Sequence, residues 1–542
     1  MDAEKLFVQF FSAIKAPEPI TPAKLSEYLL NPAAYNVVLR FFHPRIVQKS
    51  YGKEKRFFCP AAIILVGGPG WKRYTDQLME LVQMTREQLK RRLEESVIKQ
   101  DHGTANELRN VLTHVSDSLL QWTCSLNLND GQEQLTSTIP FIAFETVPHY
   151  ELAAKSLFIN NADKRKYFRM RLEFVAYLGQ TTPIKYLGGF DSSPVHVISK
   201  PPKKQSTRTS DAGHVCLKSG MKIALFNRLR AQTFSTRYLY VQGASFVGSS
   251  DHWSCFYIYA VAQDVDNDDE EFTTQNGFIH YGSVVRIVDS STGVSTPNLI
   301  VRKIEKEMIK VDIIVSEPVA QLHRIGFQIA GSESSYWSIS VSQIIQREVN
   351  VLGPGLHEAH DSIAWIAAEA DVYEFKFFQA TGPTLNPVSP VPLVWDIMLE
   401  GTSEHNAIVE LRGRSLGEHL EVWFGLVPST IISANDGFMR CQVPYITTVL
   451  SHPNNNVGCT EYNQSESKVA VPITLIRKDG VVYPTDAKFV YNINFAGGVG
   501  DVTMIPIYDK QLMQFNRSVN EMRKRNEDEQ EMVENLEDDP FE

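Results

Sequence analysis

The chain has 542 residues, 43% hydrophobic and 21% charged, and its 53 Lys and Arg against 63 Asp and Glu give a formal net charge of -10. That length exceeds what one hydrophobic core supports and predicts three domains, and the composition is that of globular protein, not of a disordered or fibrous chain. The start "MDAEKLFVQFFSAIKAP" lacks a basic leader with a cleavage site, no segment runs apolar for about 18 residues, and six scattered cysteines form no C-x-x-C pair. A secreted, membrane-spanning, disulfide-stapled or zinc-ribbon protein is therefore not expected, and the cysteines read as reduced thiols.

After an N-terminal segment (1–20), "TPAKLSEYLLNPA" (21–33) predicts a helix, with Thr21 as cap, Pro22 at the first helical position, and Leu25, Tyr28 and Leu29 on one face. "YNVVLRFF" and "KRFFCPAAIILVGG" alternate as strands do, the second closing on a turn at "GGPGW". Between Trp71 and Trp122 the period turns helical in "TDQLMELVQMTREQLKRRLEESVIKQ", breaks at "DHG", and resumes in "TANELRNVLTHVSDSLLQW", where Thr104 and Glu107 have capping-box spacing. This predicts a helical hairpin inserted between strands. From about 135 to 385, short β-branched and aromatic runs such as "MKIALFN", "WSCFYIYAVA", "HRIGFQIAG", "SIAWIAA" and "VYEFKFF" alternate with turn residues. That density predicts a barrel, trefoil or sandwich, with no repeat clear enough to choose the trefoil. "TGPTLNPVSPVPLV" (381–394) reads as a linker, and "IVELRGRSL", "LEVWFG", "VAVPITLIRKDG" and "AKFVYNINF" as a small Ig-like sandwich. An acidic tail begins near 509.

Catalytic signatures are missing from the pattern. "GGPGWK" and "GGVGD" lack phosphate-loop spacing, no Gly-x-Ser-x-Gly elbow occurs, and "HEAHD" sets the pair His357 and His360 three apart, Asp361 being merely adjacent, with no third ligand to the pair indicated, which reads as a solvated turn. No enzyme, catalytic residue, metal or cofactor is expected. Positive charge, by contrast, is concentrated. "QKSYGKEKRFFCP" (48–60) sets Lys49, Lys53, Lys55 and Arg56 around Glu54, and residues 195–240 hold Lys200, Lys203, Lys204, Arg208, Lys218, Lys222, Arg228, Arg230 and Arg237 against Asp211 alone. Arg56 and Lys55 fall where a loop feeds the strand pattern beginning at Phe57. A guanidinium there can donate two parallel hydrogen bonds to guanine O6 and N7, and Glu54 can orient that fork or accept from a cytosine amine. The bland alternative, a salt-bridged edge strand protected from aggregation, fits the pattern equally. "SKPPKKQSTRTS" suits a segment tracking phosphates, or a nuclear-import signal, and "LFNRLRAQTFSTRYL" sets Arg228, Arg230, Gln232 and Arg237 around a strand and turn.

Read together, "QKSYGKEKRFFCP", "ADKRKYFRM", "HVISKPPKKQS", "ALFNRLRAQTFSTRYL", "EEFTTQNGFIHYGSVVRIVD", "LIVRKIEK", "EPVAQLHRIGFQI", "PVSPVPLV", "LEVWFG" and "VPITLIRKDGVVYPT", in order over about residues 43–490, resemble the CSL transcription factors. That family is represented by Suppressor of Hairless and the recombination-signal-binding protein J-kappa, the DNA-binding subunit of Notch signalling in animals. The resemblance implies a mainly β fold: a Rel-like N-terminal β-sandwich (21–196, with the helical insertion at about 72–121), a central β-trefoil (197–385) and a C-terminal Rel/Ig-like β-sandwich (386–508), with the tail at 509–542. It implies a nuclear, non-enzymatic regulator of RNA polymerase II transcription that binds a GTGGGAA-like double-stranded DNA as a monomer, makes no use of a membrane, and recruits coactivators or corepressors. Arg56 would read the major groove, with Glu54 and Lys55 beside it and Lys49, Ser50 and Tyr51 near the backbone. Arg228, Arg230 and Gln232 would form the DNA-facing hairpin, Gln232 reaching the minor groove, and Lys200, Lys203 and Lys204 would contact phosphates.

The sequence also departs from the family. Ala231 stands where the hairpin usually has serine, and the 72–121 insertion replaces a shorter segment and reads as surface decoration. The groove that in animal members accepts a tryptophan-containing segment of the Notch intracellular domain maps to Phe272, Thr274, Arg286, Ser295 and Gln346. Phe272 and Gln346 keep the pattern, whereas Thr274 and Ser295 replace small apolar residues. Hydroxyls facing an apolar anchor cost roughly 1 to 3 kcal/mol each, which argues against a Notch-type ligand. The rival expectation is a CSL-like protein-interaction scaffold that has lost specific DNA reading.

Overall fold

The computed structural model describes residues 3–14, 18–115, 118–128, 134–138, 149–179, 182–199, 215–228, 236–261, 274–311, 317–340, 342–384, 386–401, 407–451, 461–463, 468–492 and 501–504. The N-terminal third is a sandwich. Strands Val37–Pro44, Ala62–Gly67 and His149–Ala154 pair antiparallel in one sheet, and Leu120–Leu128, Gln134–Thr138, Met170–Leu178 and Thr182–Asp191 in another. Met170–Leu178 buries every second residue, the period of a strand with one face on a core. Leu39, Phe41, Ile64, Leu126, Leu172 and Phe174 fill the space between. A small third sheet joins Ile46–Gln48 in parallel to Val195–Ile198, which pairs with Tyr167–Phe168.

Five helices lie in this part of the chain among the described residues: α1 (Ala3–Ile14), α2 (Pro22–Leu30), α3 (Pro32–Tyr35), α4 (Pro69–Ile98) and α5 (His102–Val115). α2 packs Leu25, Tyr28 and Leu29 against Phe378, Leu426 and Ile476, and α4 and α5 are not surface decoration, since Trp71, Leu78, Leu89, Leu108 and Val111 belong to the sandwich core. The inserted hairpin is α4 and α5, longer at its start than the sequence suggests. "GGPGW" is not a turn: Gly68 precedes the helix, Pro69 opens it, and Gly70 lies so close to Asn36 that a Cβ there would meet its carbonyl oxygen at 2.1 Å. Asp101, not Thr104, caps α5, its Oδ1 accepting the Thr104 amide at 3.1 Å. The N-terminal segment folds as α1 and buries Phe7 and Phe11 against the insertion, with the Arg92 guanidinium 4.8 Å from the Phe10 ring.

Antiparallel hairpins from Met221–Asn227 onward build the trefoil body around Leu225, Phe256, Ile287, Val301, Phe327, Trp337 and Trp365. Trp337 and Trp365 stack with centroids 5.2 Å apart, and the Trp365 indole donates to the Trp337 carbonyl at 2.9 Å, so its polar edge is satisfied inside the core. "HEAHD" is not a solvated turn: His357 is buried on strand Leu356–Glu358 with Nδ1 3.0 Å from the Tyr336 hydroxyl, and Asp361 accepts from Arg324 at 2.6 Å.

The third domain sets the sheet of Leu393–Glu400, Ile408–Arg414, Phe438–Gln442 and Ile431–Ala434 against one containing Leu420–Phe424, Lys468–Arg477 and Val481–Asn492. One 15-residue strand, Trp365–Gln379, runs through the molecule. It pairs with Met221–Asn227 of the trefoil at Trp365 to Glu369, with Val37–Pro44 at Ala370 to Phe377, and with Val481–Asn492 at Phe378 and Gln379. Backbone hydrogen bonding thereby ties three domains to a single axis. Among the described residues no helix is long and apolar enough to cross a membrane.

Candidate nucleic-acid interface

The first basic segment is a loop tied down along its length. The Lys49 amide donates to Ile198 at 3.0 Å, the Ser50 amide to Ile159 at 2.9 Å, and Tyr51 and Glu54 exchange backbone bonds of 3.3 and 3.1 Å. The last pair closes a two-residue turn whose first central position is Gly52, at φ +60°, a conformation that favours a residue without Cβ. Ser50 is buried, and its Oγ accepts the Arg56 amide at 3.1 Å, folding the outgoing arm against the incoming one. Phe57 bridges Phe158 and the Phe58 amide donates to Leu157 at 2.9 Å. No strand starts at Phe57: Cys59 and Pro60 intervene, and regular pairing begins at Ala62.

Lys53, Glu54 and Lys55 are exposed and Arg56 is half-buried. Lys55 Nζ sits 4.7 Å from the Phe158 ring centroid, which steers its stem without neutralising it. Among the described residues Arg56 is bonded only through its amide, so Glu54 does not orient its side chain. Lys49 Nζ reaches the Asp163 carbonyl at 3.4 Å, and hydrogen bonds from Arg165, reinforced by Lys49, hold the Asp163 carboxyl below the usual carboxylate range. A rigid body with a cationic loop is how binding side chains are commonly presented.

The second segment grows from the hairpin of Met221–Asn227 and Arg237–Gln242, in register at Phe226 with Tyr238 and Asn227 with Arg237. Arg228, exposed, is the first residue of the connecting loop. Buried Asn227 fixes that exit by donating to Asp361 O at 2.6 Å and Ala364 O at 2.9 Å. Arg230, Gln232, Lys200, Lys203 and Lys204 lie outside the described residues, as does Phe272.

The fold brings the two segments together. Cys59, three residues past Arg56, has Sγ 3.5 Å from the Tyr238 hydroxyl on the hairpin. Burial pushes the Cys59 thiol up to about 11, offset in part by Tyr238 and by the positive charge of Arg228. Ile46, Ile198, Phe226 and Ala368 pack around this contact with Cys59 and Tyr238. Gln48 Nε2 donates to the Ser199 carbonyl at 3.0 Å, so the strand leading to Lys200 ends beside the start of the first loop.

The other sequence candidates are more dispersed. Arg286 is buried with Nε on Asn298 Oδ1 at 2.8 Å, and Ser295 is exposed opposite Val288 on the same meander. Thr274 pairs with Val261 at a strand edge, and Gln346 is exposed on Gln343–Glu348 opposite Trp337. A cavity of about 210 Å³ is lined by Tyr281, Arg302, Lys303, Glu305, Lys310 and Glu317. Lys303 is paired there with Glu305 at 3.0 Å and Glu317 at 2.9 Å, and no residue of either basic segment enters it. Sequence reasoning missed Cys59, Tyr238 and Asp371, which join the domains behind the cationic face. Only Asp371 leaves a signal, as one of the acids, with Glu369, that interrupt an apolar strand pattern.

Two cationic loops on a β scaffold, issuing from one seam, define a DNA-binding class of architecture, and comparison with known proteins agrees. Residues 39–211 match the family described as LAG1, DNA binding, residues 242–367 the beta-trefoil DNA-binding domain, and residues 391–491 the TIG domain. The chain is 31% identical over 468 residues to the human recombining binding protein suppressor of hairless-like protein, spanning 84% of this chain and 80% of that one. It is 30% identical over 500 residues to the mouse protein of the same description, spanning 88% and 86%. Transcription factor cbf11 of Schizosaccharomyces pombe is 25% identical over 313 residues, 56% of this chain and 41% of that one. Among solved structures, the plexin A4 extracellular region aligns with TM-score 0.11 and 11% identity over 67% of this chain and 30% of that one, which carries no argument. The chain belongs to the CSL family, a family of DNA-binding transcription factors and not of enzymes.

Proposed function

We propose that this protein binds GTGGGAA-like duplexes as a monomer in the nucleus and regulates RNA polymerase II transcription through recruited coactivators or corepressors. The observation that carries the reading is the joining of the Arg56 loop to the Arg228 hairpin through Cys59 and Tyr238. An arginine without a side-chain partner among the described residues, on a loop fixed at both ends, keeps its fork available for a guanine edge at little further ordering cost of the backbone. In this reading Arg56 specifies a base, while Lys49, Lys55 and Arg228 position the duplex through its backbone. By the family resemblance Lys200, Lys203, Lys204, Arg230 and Gln232 take part in the same contact with DNA, while Tyr51 and Glu54 flank the tip of the Arg56 loop and Ser50 acts through the Arg56 amide. The family groove at Thr274 and Ser295 is too polar to seat the apolar anchor of a Notch-type ligand.

Fluorescence anisotropy with a GTGGGAA duplex and a scrambled duplex of equal length, over a range of salt, tests this. Preference for the first by about a thousandfold or more, with log affinity falling linearly in log salt, is expected. Arg56→Ala should cost roughly 1 to 3 kcal/mol and relax discrimination at one guanine, whereas Lys203→Ala should weaken both duplexes alike and lower the salt slope by about one. Equal losses on both duplexes for Arg56→Ala would remove its role as a reader.

A further inference from the structure

Behind the cationic face lies a buried carboxylate with a partner at the root of each candidate DNA-contacting segment. Asp371 is 3% exposed on the strand shared by the three domains. Its Oδ1 accepts from Lys222 Nζ at 3.2 Å, and Lys222 stands on the strand that ends at Asn227 and delivers Arg228. Its Oδ2 accepts from Ser193 Oγ at 3.3 Å, two residues before the strand Val195–Ile198 that leads to Lys200. The Arg45 guanidinium lies 3.7 Å from the same Oδ2, and Arg45 immediately precedes the strand Ile46–Gln48 that leads to Lys49.

We infer that Asp371 is a positioning residue that holds the Lys49–Arg56 loop, the strand Val195–Ile198 and the Met221–Asn227 strand that delivers Arg228 in register with one another. The inference rests on the reading that these segments contact DNA. Its physical basis is charge balance in a place with little water. Arg45 comes from the N-terminal sandwich and Lys222 from the trefoil, so without the carboxylate two cations face each other across the seam. His43 stands opposite Asp371 across the strands, and burial lowers its imidazole to about 4, so it is neutral at pH 7 and supplies no compensating charge. Tyr373, hydrogen-bonded to Ser193, and the Val372 amide, which donates to Asp371 Oδ1 at 2.9 Å, also line the carboxylate's surroundings. A rigid duplex engaging several loops at once requires their spacing to be fixed before binding, whereas nonspecific attraction to phosphates does not.

The test compares the full chain and its Asp371→Asn variant on the GTGGGAA and scrambled duplexes, with the active fraction counted by stoichiometric titration. Asp371→Asn is expected to keep the affinity for scrambled duplex and the salt slope, and to lose about tenfold or more of the preference, the share that one bidentate base contact carries. Ser193→Ala, which leaves the carboxylate and both cations in place, should lose several-fold of the preference and serves where Asp371→Asn does not fold. A merely structural residue would lower the active fraction and leave the preference of the remaining molecules unchanged, and that result in either variant overturns the inference. If the unaltered protein does not discriminate between duplexes, the DNA-reading proposal falls and takes this one with it.

Discussion

The N-terminal sandwich meets its two neighbours in different ways. Toward the trefoil, two separately closed cores dock through small clusters, Ile63, Ala224, Trp253, Cys255 and Ala370 in one and Ile46, Ile198, Phe226 and Ala368 in the other, with the Asp371 ion cluster between them. Toward the C-terminal domain there is no such division, because one contiguous core runs from Leu39 and Phe174 through Leu187, Phe375 and Val388 to Val471 and Tyr483. Charge at this second seam is handled differently: Arg414 lies 3.8 Å from Asp191 across it, while Lys185 is buried, donates to the carbonyls of Thr384 and Asn386, and has no carboxylate in salt-bridge contact among the described residues. Asp479, the acid nearest in effect, is held by Arg477 at 2.7 Å. The seam that aligns the cationic loops thus holds a buried ion cluster between small apolar clusters, and the seam that carries the C-terminal domain rests mainly on one continuous apolar core. Directional contacts fix geometry and apolar burial supplies free energy, and the two seams weight these tasks differently.

The largest expected effect would break the continuity of the shared core. Phe375 is 4% exposed and its ring lies 5.1 Å from that of Phe190. Phe375→Ala should lower the unfolding free energy of the joined N- and C-terminal unit by about 3 to 5 kcal/mol, through lost transfer energy and a cavity that rigid strands cannot close. Urea unfolding read by hydrogen exchange locates the loss. Amides beside Phe190 and Tyr483 should lose protection while those of Phe327 and Trp337 keep theirs. Uniform loss across both sets would mean that the trefoil core is not separate.

A pH series sharpens the contrast in charge. Burial, aided by the positive charge of Arg477, lowers Lys185 from its ordinary 10.5 to about 7. Below pH 7 the amine is charged in both folded and unfolded chains; between 7 and 10.5 the unfolded chain binds the extra proton, so this group makes stability rise with pH across that window. The stability of the unaltered protein relative to Lys185→Met should therefore increase by about 2 to 4 kcal/mol from pH 7 to pH 10, smaller than the full shift implies because two carbonyls bond the charged form. A difference that stays flat with pH would show that the carbonyls fully replace the lost hydration.

Much of this architecture is legible in the residues. Alternation such as that of Met170–Leu178 marks strands, the change to a helical period marks the insertion, and the resemblance carried by ten ordered segments gives the fold class that the family matches bear out. Local chemistry misled where tertiary contacts decided. "GGPGW" has turn composition, yet its glycines serve a helix start pressed against Asn36, and Thr104 has the spacing of a cap that Asp101 performs. The clearest case is the shared strand. Its sequence reads as two runs, "SIAWIAA" and "VYEFKFF", because Glu369 and Asp371 interrupt the apolar pattern, but pairing continues through both. Polarity that looks like a break is the junction itself, satisfied by partners far away in the chain. The cationic segments announce themselves by composition, whereas the approach of Cys59 to Tyr238, 179 residues apart, is encoded only in the packing of Ile46, Ile198 and Phe226.

The smallest expected effect lies at the rim of the trefoil seam and separates buried from exposed charge. Lys155 Nζ pairs with Asp251 across the same two domains, but the side chains are 58% and 54% exposed. Water screens such a pair and two long side chains lose freedom to form it, so Lys155→Met should change stability by about 0 to 0.5 kcal/mol. Neighbouring groups hold the segment in its absence: His252 Nε2 lies 3.0 Å from Glu151, the His252 amide donates to Ser249 Oγ at 3.0 Å, and the Trp253 indole donates to the Ala61 carbonyl at 2.9 Å. The same variant should leave the preference for GTGGGAA duplex unchanged, because the rim pair touches none of the strands that deliver the cationic loops. Thermal unfolding and paired anisotropy titrations measure both quantities. A loss of preference comparable to that of Asp371→Asn would mean that any ion pair across the seam sets the register, and the distinction between the buried carboxylate and the rim would collapse.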